Sequence, residues 1–219
     1  LMLLLVQWCA QVITQISRHM ERALFKGFAR PYLLVVIFLL LVACSPRLNW
    51  RTVQSPDQRY TALFPGKPDK LERQIPFGDQ EFHQTLEAVK IDDDIYSISS
   101  IEIPAKQVNG DLLQKIAKQL QNHLLDRAKA VGGSVVTEPA YFQNSQHQRF
   151  ATTDYYILFN GAGKAQQAMR VRWITRVSDG GNAWVYQVSV LHAHADTTDA
   201  KVLLSKEEYA NFFNEFYPE

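Results

Sequence analysis

The sequence predicts an α+β fold: an antiparallel β-sheet meander packed by a long mid-chain helix and closed by an aromatic C-terminal helix. Three observations carry this prediction. Between Val135 and His192, β-rich runs alternate with turn signals such as Asn160-Gly161 and Asp179-Gly180-Gly181. From Asp111 to Val131, apolar residues recur at helical spacing, three and four apart. Near the C-terminus, Tyr209, Phe212, Phe213 and Phe216 repeat at the same spacing.

The chain also divides by composition. Residues 1–43 hold a second apolar focus, Tyr32 to Ala43, preceded by Arg22, Lys26 and Arg30 against a single acid, Glu21. An apolar run of this length is short for a membrane span, which needs roughly 20 residues, and has the dimensions of a signal-peptide core. The basic flank sets the orientation, with the N-terminus inside and the body outside. Read from Met20, the stretch is a complete signal peptide. Residues 1–19 carry their own short apolar run, Leu3 to Val6, so translation from Met20 is one expectation and a long leader or second membrane helix is the other.

Leu41-Val42-Ala43-Cys44 closes the apolar run and resembles the lipobox of bacterial lipoproteins. The resemblance implies that Cys44 takes a diacylglycerol on its thiol, that the bond before it is cut, and that the new amino group is acylated in turn. A membrane anchor of two or three acyl chains would follow. In that family an Asp directly after the cysteine retains the protein at the inner membrane. Ser45 stands there instead, which implies delivery to an outer membrane, facing the periplasm, where the host has two.

From Cys44 onward there are 176 residues with a net charge of −2, enough for one domain with a sizeable core. Such a balanced charge excludes a dedicated nucleic-acid binder. The two cysteines are Cys9 and Cys44; with the first in the leader and the second acylated, no disulfide forms in the mature chain. Nothing calls for a cofactor.

Residues 44–58, with Pro46, Pro56 and few apolar side chains, read as a lipidated N-terminus and extended tether of at most ~50 Å, and residues 59–219 as the globular domain. Arg59 to Phe64 forms a first strand that ends at the Pro65-Gly66-Lys67-Pro68 turn. Phe82 to Ile91 and Ile95 to Ile103 make a hairpin around Asp92-Asp93-Asp94, which reads as a solvated turn; it lacks the alternating ligands, central Gly and distal Glu of a calcium loop. Asn109-Gly110-Asp111 caps the long helix, whose apolar stripe is Leu113, Ile116, Ala117, Leu120, Leu124, Ala128 and Val131, and Gly132-Gly133 stops it. His123 sits beside that stripe as a solvated or capping histidine.

Five strands follow, Val135–Phe142, Gln146–Thr152, Asp154–Phe159, Ala168–Val177 and Ala183–His192, forming a sheet with one covered and one wetter face. Ser205-Lys206-Glu207-Glu208 matches a capping box opening the last helix, which runs through Phe216.

Two groups of side chains are candidates for chemistry. Arg170, Arg172 and Arg176 alternate along one strand and form a basic stripe for an anionic ligand, unless they pair across the sheet with acids such as Glu87 and Glu102. His192, His194 and Asp196 alternate along an extended segment and are metal-ligand candidates, although no fourth ligand is evident. No G-x-S-x-G elbow or H-E-x-x-H motif is present, so no catalytic set emerges.

The pieces Phe64-Pro65-Gly66-Lys67-Pro68, the helix from Asp111, the strands around Arg170 to Arg172 and Trp184 to Val190, and Phe212 to Phe216 resemble bacterial domains of the PsbP/Mog1 type. That resemblance implies an accessory or binding module with no catalytic set to transfer. The expected function is a lipid-anchored cell-envelope lipoprotein that binds an envelope protein or an anionic ligand. The alternative is an envelope hydrolase or metal-dependent enzyme using the region from His192 to Asp196.

Overall fold

The computed structural model describes residues 47–108, 110–161, 165–196 and 199–219. The leader, Met20, Cys44 and the capping residue Asn109 lie outside these residues. The folded unit runs from Leu48 to Glu219 and is of the α+β kind, mostly antiparallel sheet with a few helices.

In chain order its elements are β1 (Arg51–Ser55), a 3-10 turn (Pro56–Gln58), β2 (Tyr60–Phe64), β3 (Asp69–Phe77), β4 (Gln80–Ile91), β5 (Asp94–Ile103), α1 (Gly110–Ala130), β6 (Ser134–Gln143), β7 (Arg149–Phe159), β8 (Gln167–Val177), β9 (Ala183–His192), α2 (Ala200–Leu204), α3 (Glu207–Asn214) and β10 (Phe216–Pro218). They build a seven-stranded antiparallel sheet of order β3-β4-β5-β9-β8-β7-β6 and a three-stranded sheet of order β1-β2-β10.

Both faces of the large sheet are covered, which corrects the expectation of one wet face. On one side α1 crosses the sheet with the predicted stripe. Leu113 and Ile116 pack on Phe82, Ile101, Ile103 and Val185. Further along, Leu124 and Ala128 pack on Ile157 and Val171. The stripe ends a turn early, because α1 stops at Ala130 and leaves Val131 exposed. On the other side, the small sheet and the two C-terminal helices bury Tyr96, Ile98, Ile174, Trp184, Tyr186, Val188 and Val190 beneath Tyr60, Phe64, Leu204, Phe212, Phe213 and Phe216. Phe212 and Phe213 are fully buried, and each contributes about 2 to 3 kcal/mol of hydrophobic stabilisation.

Several boundaries differ from the sequence reading for identifiable reasons. Residues 51–58 are not a tether: β1 pairs with β2 from Arg51 opposite Phe64 to Ser55 opposite Tyr60, and Ser55 and Gln58 are buried. β3 escapes the alternation test because, as an edge strand, it buries almost nothing; its Pro76 is tolerated for the same reason. β7 runs unbroken through Thr153. The capping box is not used: α3 begins after Lys206, with no side-chain cap, and Ser205 closes α2. The side-chain cap belongs to Asp199, which accepts from the Lys201 and Val202 amides at the start of α2. Phe216 lies in β10, where its edge-on contact with Tyr186 locks the C-terminus to the sheet.

Candidate functional site

Arg170 and Arg172 occupy alternate positions of β8 and so share one face, the one under α2 and α3. They are 6% and 2% exposed, so the expected solvent-facing basic stripe is buried. Their partner is Asp154, opposite Arg172 in the β7–β8 register, rather than Glu87 or Glu102. Asp154 accepts from Arg170 Nη2 at 2.6 Å and Nε at 3.1 Å, and from Arg172 Nε at 2.6 Å and Nη2 at 3.0 Å.

One buried carboxylate against two guanidiniums leaves one positive charge, and main-chain carbonyls meet it. Arg170 Nη1 donates to Leu204 O at 3.2 Å, the last residue of α2, and Arg172 Nη1 to Phe213 O at 3.0 Å, in the last turn of α3. These carbonyls are among the orphan acceptors every helix leaves at its C-terminal end. The Phe213 ring adds its face to Arg170, with Cζ 4.2 Å from the centroid. The cluster thus ties both C-terminal helices to the middle of the sheet. Arg176, the third member of the expected stripe, stands apart with Cζ 4.9 Å from the Phe150 ring centroid, and its buried Nε has no hydrogen-bond partner.

The histidine segment is organised by the Asp92–Asp94 turn. Asp92 adopts φ +53°, which closes the two-residue loop between β4 and β5. Asp94 is not solvated but 2% exposed, opposite His192 in the β5–β9 register. Its Oδ1 lies 2.7 Å from His192 Nδ1, and Tyr209 of α3 donates to the carboxylate at 3.1 Å. His194 Nδ1 is 3.0 Å from Asp93 Oδ1 at the surface, and Asp196 is exposed. Each imidazole is therefore oriented by its own aspartate. Among the described residues, no group of three or more His, Cys, Asp or Glu is placed to share a metal ion.

A second buried carboxylate, Glu87, accepts from Ser55 Oγ at 2.7 Å and from the Tyr60 hydroxyl, joining the small sheet to β4. Close by, Ser100 Oγ donates to Gln58 Oε1 at 2.6 Å, and the Tyr186 hydroxyl donates to Gln58 O at 2.8 Å, beside the left-handed Arg59. On the opposite side of the unit, Phe77 and the α1 side chains Lys115, Lys118, Gln119, Asn122 and His123 line an open groove of about 530 Å³. His123 is exposed there.

Burial pushes the Tyr60, Tyr186 and Tyr209 hydroxyls well above their ordinary value. The Glu87 hydrogen bond adds to the effect on Tyr60, and the Asp94 charge to that on Tyr209. The stability linked to these groups is fully present below pH about 10, where unfolded tyrosine still holds its proton. Above that pH the unfolded chain loses protons that the folded one keeps. Each buried tyrosine then removes about 1.4 kcal/mol per pH unit. Urea midpoints are expected to drop steeply above pH 10. Phenolate absorbance should show these three tyrosines ionising only as circular dichroism is lost; ionisation near pH 10 in a chain that stays folded would contradict this.

Asp154, Asp94, Tyr209, Glu87 and Tyr60 were not legible as site residues in the sequence. The available signal was an acid within or beside a β-rich run, and at Asp154 and Asp94 that same signal marks turns. No protein-family model matches the chain, and no curated protein matches it in sequence.

Proposed function

We propose that the chain is a lipid-anchored lipoprotein of a bacterial cell envelope, held through acylated Cys44, and that its folded unit is a binding or accessory module of the PsbP/Mog1-like type. The observation that carries this is Leu41-Val42-Ala43-Cys44, standing where a twelve-residue apolar run stops and just ahead of the folded unit. The PsbP/Mog1 likeness is supported by an antiparallel sheet lying between a long helix and an aromatic C-terminal helix, with Phe64-Pro65-Gly66-Lys67-Pro68 ending β2. Among the described residues, no helix is long and apolar enough to cross a membrane. Ser45 after the cysteine favours an outer membrane facing the periplasm as the destination. The metal-dependent alternative at His192 to Asp196 is the weaker reading because the two histidines sit on separate aspartates.

The test is expression in a bacterial host followed by membrane fractionation and intact-mass analysis. The wild-type chain is expected in the membrane fraction, shortened to Cys44 and carrying acyl mass. Cys44→Ser is expected to keep its leader and gain no lipid. A wild-type chain with its leader attached and its thiol free would overturn the reading.

A further inference from the structure

The chain enters the folded unit abruptly. The Asn49 amide donates to Pro65 O at 3.0 Å, Trp50 is half-buried edge-on against Tyr96 with ring centroids 6.3 Å apart, and Arg51 already opens β1 opposite Phe64. Ser45, Pro46 and Arg47 alone separate Cys44 from Leu48. Even fully extended, that connection spans no more than ~14 Å, much less than the ~50 Å that a disordered 45–58 segment would allow.

We propose that in the acylated protein the corner built by Asn49 to Arg51 and the Phe64–Pro68 turn rests at the lipid headgroups, which makes the bilayer surface a docking partner of this particular corner. The inference rests on the acylation of Cys44 proposed above. Covalent reach selects the corner, and its chemistry suits the location. Arg51 and Lys67 are exposed there, and among the described residues neither is engaged in an ion pair, so both are open to phosphate oxygens. Gly66 keeps the turn tight against β4: a Cβ at that position would stand 3.1 Å from Val89 Cγ2. The neighbouring β4–β5 turn, with Asp92 and Asp93, does not extend this basic patch. The β3–β4 turn at Gly78-Asp79 is at the far end of β4, a strand of 12 residues, and thus ~40 Å away.

This orientation can be read with a fluorophore on a single introduced cysteine, Lys67→Cys or Asp79→Cys, in the full-length expressed and processed protein. The protein is reconstituted into phosphatidylethanolamine–phosphatidylglycerol vesicles containing headgroup-spin-labelled lipid. Intact mass and vesicle flotation are measured first. Several-fold stronger quenching is expected at position 67 than at 79. Equal quenching, or stronger quenching at 79, in a chain that carries lipid and floats would overturn the docking corner and leave the anchor standing. A chain that carries no lipid would overturn both.

Discussion

Replacing Asp154 with alanine is expected to destabilise the folded unit by about 3 to 5 kcal/mol, the usual cost of removing one partner from a buried ion pair. The reason lies in the count of charges. Asp154 accepts four N–H donors from Arg170 and Arg172, and without it two guanidiniums remain beneath α2 and α3 with two main-chain carbonyls and the Phe213 ring face, but no counter-charge, to meet them. Arg172→Leu should cost less, since Arg170 and Asp154 stay behind as a balanced pair and only Phe213 O loses its donor. Against a typical total of roughly 5 to 15 kcal/mol, the alanine change removes a large share of the stability. Urea denaturation of the three proteins measures the order directly. If Arg172→Leu proved as damaging as Asp154→Ala, the cluster would be acting through packing and not through charge.

The second large effect is expected at Gly133, and its neighbour supplies the control. Gly132 has φ +66° with open space where a Cβ would go, so Gly132→Ala pays only the left-handed penalty of about 1 to 2 kcal/mol. At Gly133 the chain turns from α1 into β6 so close to β7 that a Cβ would fall 2.0 Å from Leu158 O and 2.9 Å from Ala128 O. Both neighbours are backbone. Leu158 is in the β6–β7 ladder, and Ala128 O accepts the Gly133 amide at 2.8 Å. Neither can give way without breaking a strand pair or the helix terminus, so Gly133→Ala is expected to cost about 3 kcal/mol or more. Thermal unfolding of the two variants should separate them clearly. A Gly133→Ala chain as stable as Gly132→Ala would mean that the helix–strand junction relaxes freely.

These two sites also show where sequence reasoning reaches and where it stops. The pair Gly132-Gly133 announced a helix stop, yet one glycine supplies backbone conformation and the other supplies space. That distinction depends on Leu158, a residue 25 positions further along the chain. Likewise, alternation along β8 correctly placed Arg170 and Arg172 on one face and Met169, Val171 and Trp173 on the other. It could not say that the arginine side was also covered, because α2, α3 and the small sheet return to bury it from residues far away in sequence. A charged side chain ordinarily marks solvent, and only a facing carboxylate with helix-end carbonyls overturns that rule.

Local pattern was enough wherever one element's own residues carry the information. The α+β class, the 3.6-residue stripe of α1, the period-two runs of β8 and β9 and the turn chemistry around Asp92 and Pro65 all follow from short-range sterics and amphipathicity. Pairing was beyond it. That β1 is a strand and not a leash, that β3 joins an edge while burying little, that Asp94 goes under Tyr209, and that Asp154 meets two arginines are facts about partners brought together by the folded chain. Burial and hydrogen bonding are properties of pairs, and a single strand of letters specifies its own half of each pair while leaving the other half to the packing.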